Sequence, residues 1–254
     1  MANETKERNV KTGGTRLQPL EMKIEQIGII HSCFIEKFGI PRQPGMVAAA
    51  TARLQLLPPY NRKEMVRGLE QFSHIWVQFI FHQTLVEGWK PTVRPPWLGG
   101  KKRVGVFASR SPHRPNHIGI SAVRLEAVVV DKGSIYLNLS GIDFLDQTPV
   151  IDIKPYIPYS DCPGNASSGY AHGIQPEVSI ALSPDVVAFC SLYEEETGRN
   201  LAQLLCEMIR HDPRPASQKQ NKSWFGMLLW DVNVRWCVTE EGVRVEECDR
   251  LKVQ

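Results

Sequence analysis

The sequence predicts a mainly β protein, a single-sheeted β-barrel carrying a small C-terminal α+β appendage. Three observations point there. Short apolar runs separated by Pro, Gly and Asn recur at residues 24–30, 54–57, 75–81, 104–107, 118–130, 135–139 and 150–153, which is the texture of strands and turns. Few helical stretches lie between them, and a chain with so many strands removes its exposed edges by closing the sheet. Beyond Asp161 the apolar spacing changes from alternation to the helical period.

In chain order, residues 1–21 are polar and without hydrophobic period, so a disordered tail without function is expected. The barrel is expected over residues 22–160. In its 75–81 segment, Ile75, Val77, Phe79 and Phe81 form an apolar face, whereas Trp76, Gln78, Ile80 and His82 form a mixed one. Residues 61–69 are the best short helix or turn, placing Val66 and Leu69 inward. Residues 161–177, rich in Gly, Ser, Pro and Asn, read as a linker.

The appendage is expected over residues 178–254. Ser183 and Pro184 supply an N-cap and a proline at the first helical position, opening a helix to about Glu196. A second helix is predicted over 201–210, where Leu201, Leu204, Leu205, Met208 and Ile209 share one face. Residues 227–238 alternate as one strand, and 243–245 after Glu241-Gly242 read as its hairpin partner.

Composition bounds the function. The chain has 254 residues, 42% hydrophobic and 22% charged, enough for a packed core in two folding units and against general disorder. No run approaches the ~20 apolar residues of a membrane span. The Lys- and Glu-bearing N-terminus is no signal peptide, so a cytoplasmic protein is expected. Six scattered cysteines without a C-x-x-C pair suggest reduced packing thiols and no metal site.

The net charge of +3 hides an uneven distribution. Residues 88–125 hold eight Lys or Arg and no acidic residue, which leaves −5 for the rest of the chain. The stiff loop 91–102 inside this segment carries Trp97. Cations interleaved with an aromatic suit single-stranded nucleic acid, because phosphates need positive charge and splayed bases need a stacking plane. Arg94, Lys101, Lys102, Arg103 and Arg114 are the expected RNA-binding residues. The other reading is a solvated loop whose charges pair with acids elsewhere.

Three polar clusters punctuated by Pro and Gly stand between apolar strands: residues 41–45, 109–116 and 143–156. Proline fixes φ, so these loops are rigid and suited to presenting groups to a ligand. No G-x-G-x-x-G opens a helix after a strand, so a doubly wound nucleotide-binding fold is not supported.

The motifs PRQPG, GLEQFSHIWVQFIFH, GVFASRSPHRPNHIG, GIDFLDQTPVIDIKPY and DPRP, in that order, resemble the TsaA/TrmO-like family of S-adenosylmethionine-dependent tRNA N6-methyltransferases. The resemblance covers residues 24–159 strongly and the appendage more weakly, through Asp212-Pro213-Arg214-Pro215 and residues 231–236. It implies a single-sheeted barrel, a homodimer, S-adenosyl-L-methionine as methyl donor, and the anticodon loop of threonine tRNA as partner, methylated on N6 of threonylcarbamoyl-adenosine. On the matched positions it places cofactor binding at Gln43, Pro44, Gly45, Phe81, His82, Arg110, Ile120, Asp146, Thr148, Pro149, Val150 and Asp152, with Arg110 facing the donor's carboxylate.

A carbamoylated N6 has a delocalised lone pair, so the nucleophile must be twisted or deprotonated within reach of a base. Candidate helpers are His82, Asn116, Asp143, Asp146, Asp152, Lys154 and Tyr156. Arg114 and Asn116 in the HRPN turn offer a forked cation for the threonyl carboxylate. Two alternatives belong to other classes. A non-catalytic RNA-binding barrel would give no heat with S-adenosylmethionine, and a methyltransferase of another small substrate would leave tRNA nucleosides unchanged.

Overall fold

The computed structural model describes residues 20–171, 178–214 and 224–251. The expected N-terminal tail lies outside them apart from Leu20 and Glu21. The first part of the chain contains β1 (Gly28–Ser32), β2 (Thr51–Leu56), β3 (His74–Ile80), β4 (Thr92–Val93), β5 (Val104–Gly105), β6 (Ile118–Asp131), β7 (Ser134–Ser140) and β8 (Pro149–Pro155). Six of these close into a barrel in the order β1-β2-β7-β6-β3-β8, with β8 pairing antiparallel to both β1 and β3.

Alternation decides the inside. Ile75, Val77 and Phe79 of β3 and Ile135, Leu137 and Leu139 of β7 point into the core, each at most 5% exposed. The long β6 serves two partners: Ile118 to Arg124 pair with β3 and Arg124 to Asp131 with β7, with a bulge at Glu126 between Leu125 and Ala127. The extra residue bends the strand around the barrel corner. At its start, β6 sends only Gly119 and Ser121 inward, opposite Phe79 and Val77. Small inward residues leave that end of the barrel unfilled, which is where a cavity forms.

Two expected elements differ, and a third takes the turn form of its expectation. The apolar run 104–107 is not a barrel strand; β4 and β5 form a two-stranded sheet outside the barrel, with Val106 buried and Phe107 exposed. The short helix or turn expected at 61–69 takes the form of two 3-10 turns, Lys63–Val66 and Leu69–Gln71, with Gly68 at φ +85° between them. The single strand expected at 227–238 is a hairpin that reverses at Trp230, which has φ +51°.

The second part contains the short α1 (Pro158–Asp161), β9 (Ile180–Leu182), α2 (Pro184–Thr197), α3 (Leu201–Arg210), β10 (Trp224–Leu229), β11 (Val232–Val238) and β12 (Val243–Arg250). Strands β10-β11-β12-β9 form a sheet with β9 parallel to β12. Ser183 caps α2 as expected, its hydroxyl accepting from the Val186 N–H at 3.3 Å. The buried face of α3 is the expected set Leu201, Leu204, Leu205, Met208 and Ile209.

This α+β unit shares one apolar core with the barrel. Its chief contact is the β1–β2 connection: Trp230 N–H donates to Cys33 O at 2.9 Å. Leu228 N–H donates to Glu36 Oε1 at 2.9 Å and Ala49 N–H to Glu207 Oε2 at 2.8 Å. The appendage thus braces the loop that supplies one wall of the cavity. In the DPRP motif, Arg214 Nε meets Asp212 Oδ1 at 2.8 Å, both side chains buried.

Candidate active site

A cavity of about 640 Å³ opens at the end of the barrel where β3 finishes and β6 starts, within the size range of small-molecule sites. Four loops wall it: 37–43, 81–84, 109–114 and 143–148. Its apolar side is built on Phe79, whose ring meets Phe81 at 5.0 Å and Phe144 at 5.1 Å, both edge-on. Gly119 faces that ring so closely that a Cβ there would lie 2.4 Å from it. Ile40, Pro41, Ile118 and Leu145 complete the slot.

The polar side centres on Asp143, the one carboxylate among the described lining residues. Asp143 is half-buried as a residue, yet its Oδ1 is sealed from solvent without a hydrogen-bond partner. Burial pushes its pKa up to about 6, against the opposing pull of the Ser121 hydroxyl and the Arg110 charge. A half-buried carboxylate that lines a ligand-sized cavity is suited to a donor or cation from a ligand. Across the mouth, the Arg110 guanidinium donates to Gln43 Oε1. Burial also pushes the His82 pKa below the usual histidine value, and the Lys37 charge adds to the lowering over an opposing backbone hydrogen bond at Ile80. The imidazole is therefore neutral at neutral pH and able to accept a proton.

The loop carrying Arg110 is pinned at both ends. Arg114 Nη1 donates to Ser109 O at 3.1 Å. Asn116 and His117 take left-handed φ values of +66° and +51°, a conformation uncommon outside glycine but one in which Asn and His are enriched. The turn is held because Phe81 N–H donates to His117 O at 2.9 Å and His117 Nδ1 lies 3.1 Å from Pro112 O.

Of the expected site residues, the fold brings Gln43, Phe81, His82, Arg110, Arg114, Ile120, Asp143 and Thr148 to the cavity. Pro44 and Gly45 follow in the same loop, with Gly45 N–H bonded to Gly141 O at 2.8 Å. The others lie elsewhere. Asp146 anchors β1, its Oδ1 accepting from Ser32 N–H at 2.8 Å. Pro149 pairs with Ile29, and Val150 is fully buried. Asp152 is on the barrel exterior, 3.4 Å from Lys154. Tyr156 packs on Trp76 at 5.5 Å, beyond the far end of β3. Asn116 is exposed on its turn. Sequence reasoning missed Lys37, Arg42, Phe79 and Ser121; the inward parity of β3 and β6 was the signal for the last two.

In the basic segment, Arg94, Lys101, Lys102 and Arg103 are exposed, and none forms an ion pair with a described carboxylate. Lys90 and Arg124 of the same segment do pair, with Glu87 at 3.7 Å and Glu126 at 3.0 Å. The side chain of Trp97 lies outside the described residues.

Comparison with known proteins identifies the family. The model of the tRNA-methyltransferase O N-terminal domain matches residues 29–162, and that of the TrmO C-terminal domain matches 175–251. A tRNA (adenine(37)-N6)-methyltransferase of Escherichia coli is 46% identical over 226 residues, covering 88% of this chain and 96% of that protein. A Pyrococcus abyssi chain named a probable S-adenosyl-L-methionine-binding protein is 39% identical over 152 residues, covering 60% of this chain and 77% of that one. The crystal structure of TrmO from Pseudomonas aeruginosa superposes with a TM-score of 0.75 at 38% identity, covering 91% of this chain and 100% of the other. With both domain models matched in order along one chain, the protein belongs to the tRNA-methyltransferase O family.

Proposed function

We propose that the protein is an S-adenosylmethionine-dependent methyltransferase acting on N6 of the adenine at position 37 of tRNA, with threonylcarbamoyl-adenosine in threonine tRNA as the natural target. It works in the cytoplasm as a homodimer. The observation that carries the reading is the pairing, in the wall of one cavity, of a half-buried Asp143 carboxylate with the Arg110 guanidinium. S-adenosylmethionine is a zwitterion with an added sulfonium charge, so its binding site needs both signs and an apolar slot for adenine. Those are the groups present. Arg110 takes the carboxylate, Asp143 takes the cationic end, and Phe79, Phe81 and Leu145 flank the base.

When bound, the donor supplies an electrophilic methyl carbon. The rigid loops hold the acceptor nitrogen near attack distance, which is the main task in a displacement. His82, neutral and lining the cavity, accepts the N6 proton. The unpaired cations of the 94–103 loop hold tRNA phosphates. Arg114 is fixed by Ser109 O and lines the cavity, where its fork can also meet the threonyl carboxylate.

Two results are expected. Calorimetry with S-adenosylmethionine gives one-site binding that Arg110→Ala weakens by ~10- to 100-fold, and Arg110→Lys does not restore, because a charge-assisted fork is worth ~1.5–3 kcal/mol. No heat with the wild-type protein would favour a non-catalytic RNA-binding barrel. Affinity for tRNA falls by roughly 50-fold or more between ~50 and ~200 mM salt if four phosphates are neutralised. The Lys101→Ala/Lys102→Ala variant shows a shallower slope; an unchanged slope would leave the loop without phosphate contacts.

A further inference from the structure

Outside the cavity, two aromatic side chains stand in solvent beside it. Phe107 is 79% exposed and Trp89 is 61% exposed. Neither is on an untethered loop. Phe107 sits at the centre of the 3-10 turn Val106–Ala108, directly after β5, and its neighbour Val106 is buried. Val106 N–H donates to Pro91 O at 3.1 Å. Val106 O accepts from the Ser109 hydroxyl at 2.8 Å, and Tyr170 Oη donates to Ala108 O at 2.8 Å. Trp89 is tied to the same region through Lys90 N–H, which donates to His113 O at 3.0 Å. Two and three residues beyond Phe107, Ser109 and Arg110 line the cavity.

We propose that Phe107, with Trp89 on the adjoining segment, is a stacking platform for the unpaired RNA bases that flank the adenine entering the cavity. This rests on the methyltransferase reading of that cavity. A base whose N6 must reach an enclosed site has to leave its stack, and its neighbours lose a partner as it does so. An aromatic ring presented at the mouth replaces that partner, at ~1–3 kcal/mol per base. The local charge selects RNA over a second copy of this chain. Of the eight cations in residues 88–125, Lys90 and Arg124 pair with described carboxylates and the other six do not, and a two-fold contact through Phe107 would bring two such segments together. A polyanion with splayed bases suits both the rings and the charge.

The test is the affinity of wild type and of Phe107→Ala and Phe107→Trp for an anticodon stem-loop RNA. Calorimetry with S-adenosylmethionine and sedimentation accompany each variant. The platform predicts that Phe107→Ala weakens stem-loop binding by ~5- to 100-fold, that Phe107→Trp keeps it, and that donor affinity and sedimentation do not change. Unaltered stem-loop affinity in Phe107→Ala would overturn the proposal. So would a shift to a smaller species with RNA affinity retained, which would assign the ring to contact between copies. The methyltransferase reading fails separately, if the wild-type protein shows no heat with S-adenosylmethionine, because the platform is judged on RNA affinity alone.

Discussion

Asp143→Asn is expected to make the protein more stable and catalytically silent. The folded-state pKa of this carboxyl is about 6 against 3.8 for the free group, because burial disfavours the charged form. The folded chain therefore holds this proton more tightly than the unfolded chain does. The stabilising share of Asp143 is full below the unfolded pKa and is lost as the pH rises through about 6. At pH 7.5 the ionised group costs at most about 3 kcal/mol. Asparagine removes that cost, so the unliganded variant should melt several degrees higher and lose the Asp143 share of the pH dependence. It also removes the negative charge proposed to meet the donor's cation, and kcat/KM should fall by ~100-fold or more. In the wild-type protein kcat/KM should decline below about pH 6, where Asp143 takes up its proton. Thermal scans at pH 5 and 7.5 with methyl-transfer kinetics check both halves. Full activity with an unchanged melting temperature would contradict the role given to this residue.

Gly119→Ala is expected to close the cavity. An added methyl would lie 2.4–2.9 Å from three atoms of the Phe79 ring, and that ring is edge-packed against Phe81 and Phe144. The ring cannot yield without moving into the slot or displacing its neighbours. Overpacking of this kind costs ~1–3 kcal/mol, and donor binding should weaken by at least ~10-fold. The double variant Gly119→Ala/Phe79→Leu makes room for the methyl, so the two substitutions should couple by ~1 kcal/mol or more in thermal or denaturant unfolding. Additive effects would show that the Gly119–Phe79 contact does not shape the site.

Much of the architecture is legible in the sequence because it follows from periodicity. Alternation in 75–81 and 134–140 identifies β3 and β7, and the helical spacing of Leu201, Leu204, Leu205 and Met208 gives α3 residue for residue. Where periodicity misleads, a local backbone event is the reason. The 227–238 alternation hides a reversal at Trp230, and the buried set switches from Met227 and Leu229 to Val232, Val234 and Trp236 across it. No Gly, Pro or Asn marks that turn.

The cavity is partly legible. Gln43, Arg110 and the 81–82 pair stand in rigid polar motifs and meet at one barrel end. Asp152 and Tyr156 belong to an equally motif-rich stretch, but the register shift between β3 and β8 puts Asp152 opposite Gln78 on the outer face, although Val150 two residues earlier is buried, and the length of β8 carries Tyr156 away. Asp143 was one acid among several until closure of the barrel sealed its Oδ1. Charge gave the location of the cationic loop, whereas the exposed Phe107 emerges only once Val106 is seen to be the buried member of its turn.

The most direct test of the central claim is nucleoside mass analysis of threonine tRNA after incubation with the purified protein and S-adenosylmethionine. The tRNA is supplied with and without threonylcarbamoylation at position 37. The account predicts one added methyl group, on N6 of the threonylcarbamoylated adenosine, only when the donor is present, and strongly reduced in the Arg110→Ala and Asp143→Asn proteins. An unchanged nucleoside profile, or a methyl group on ribose or on another base, would contradict it.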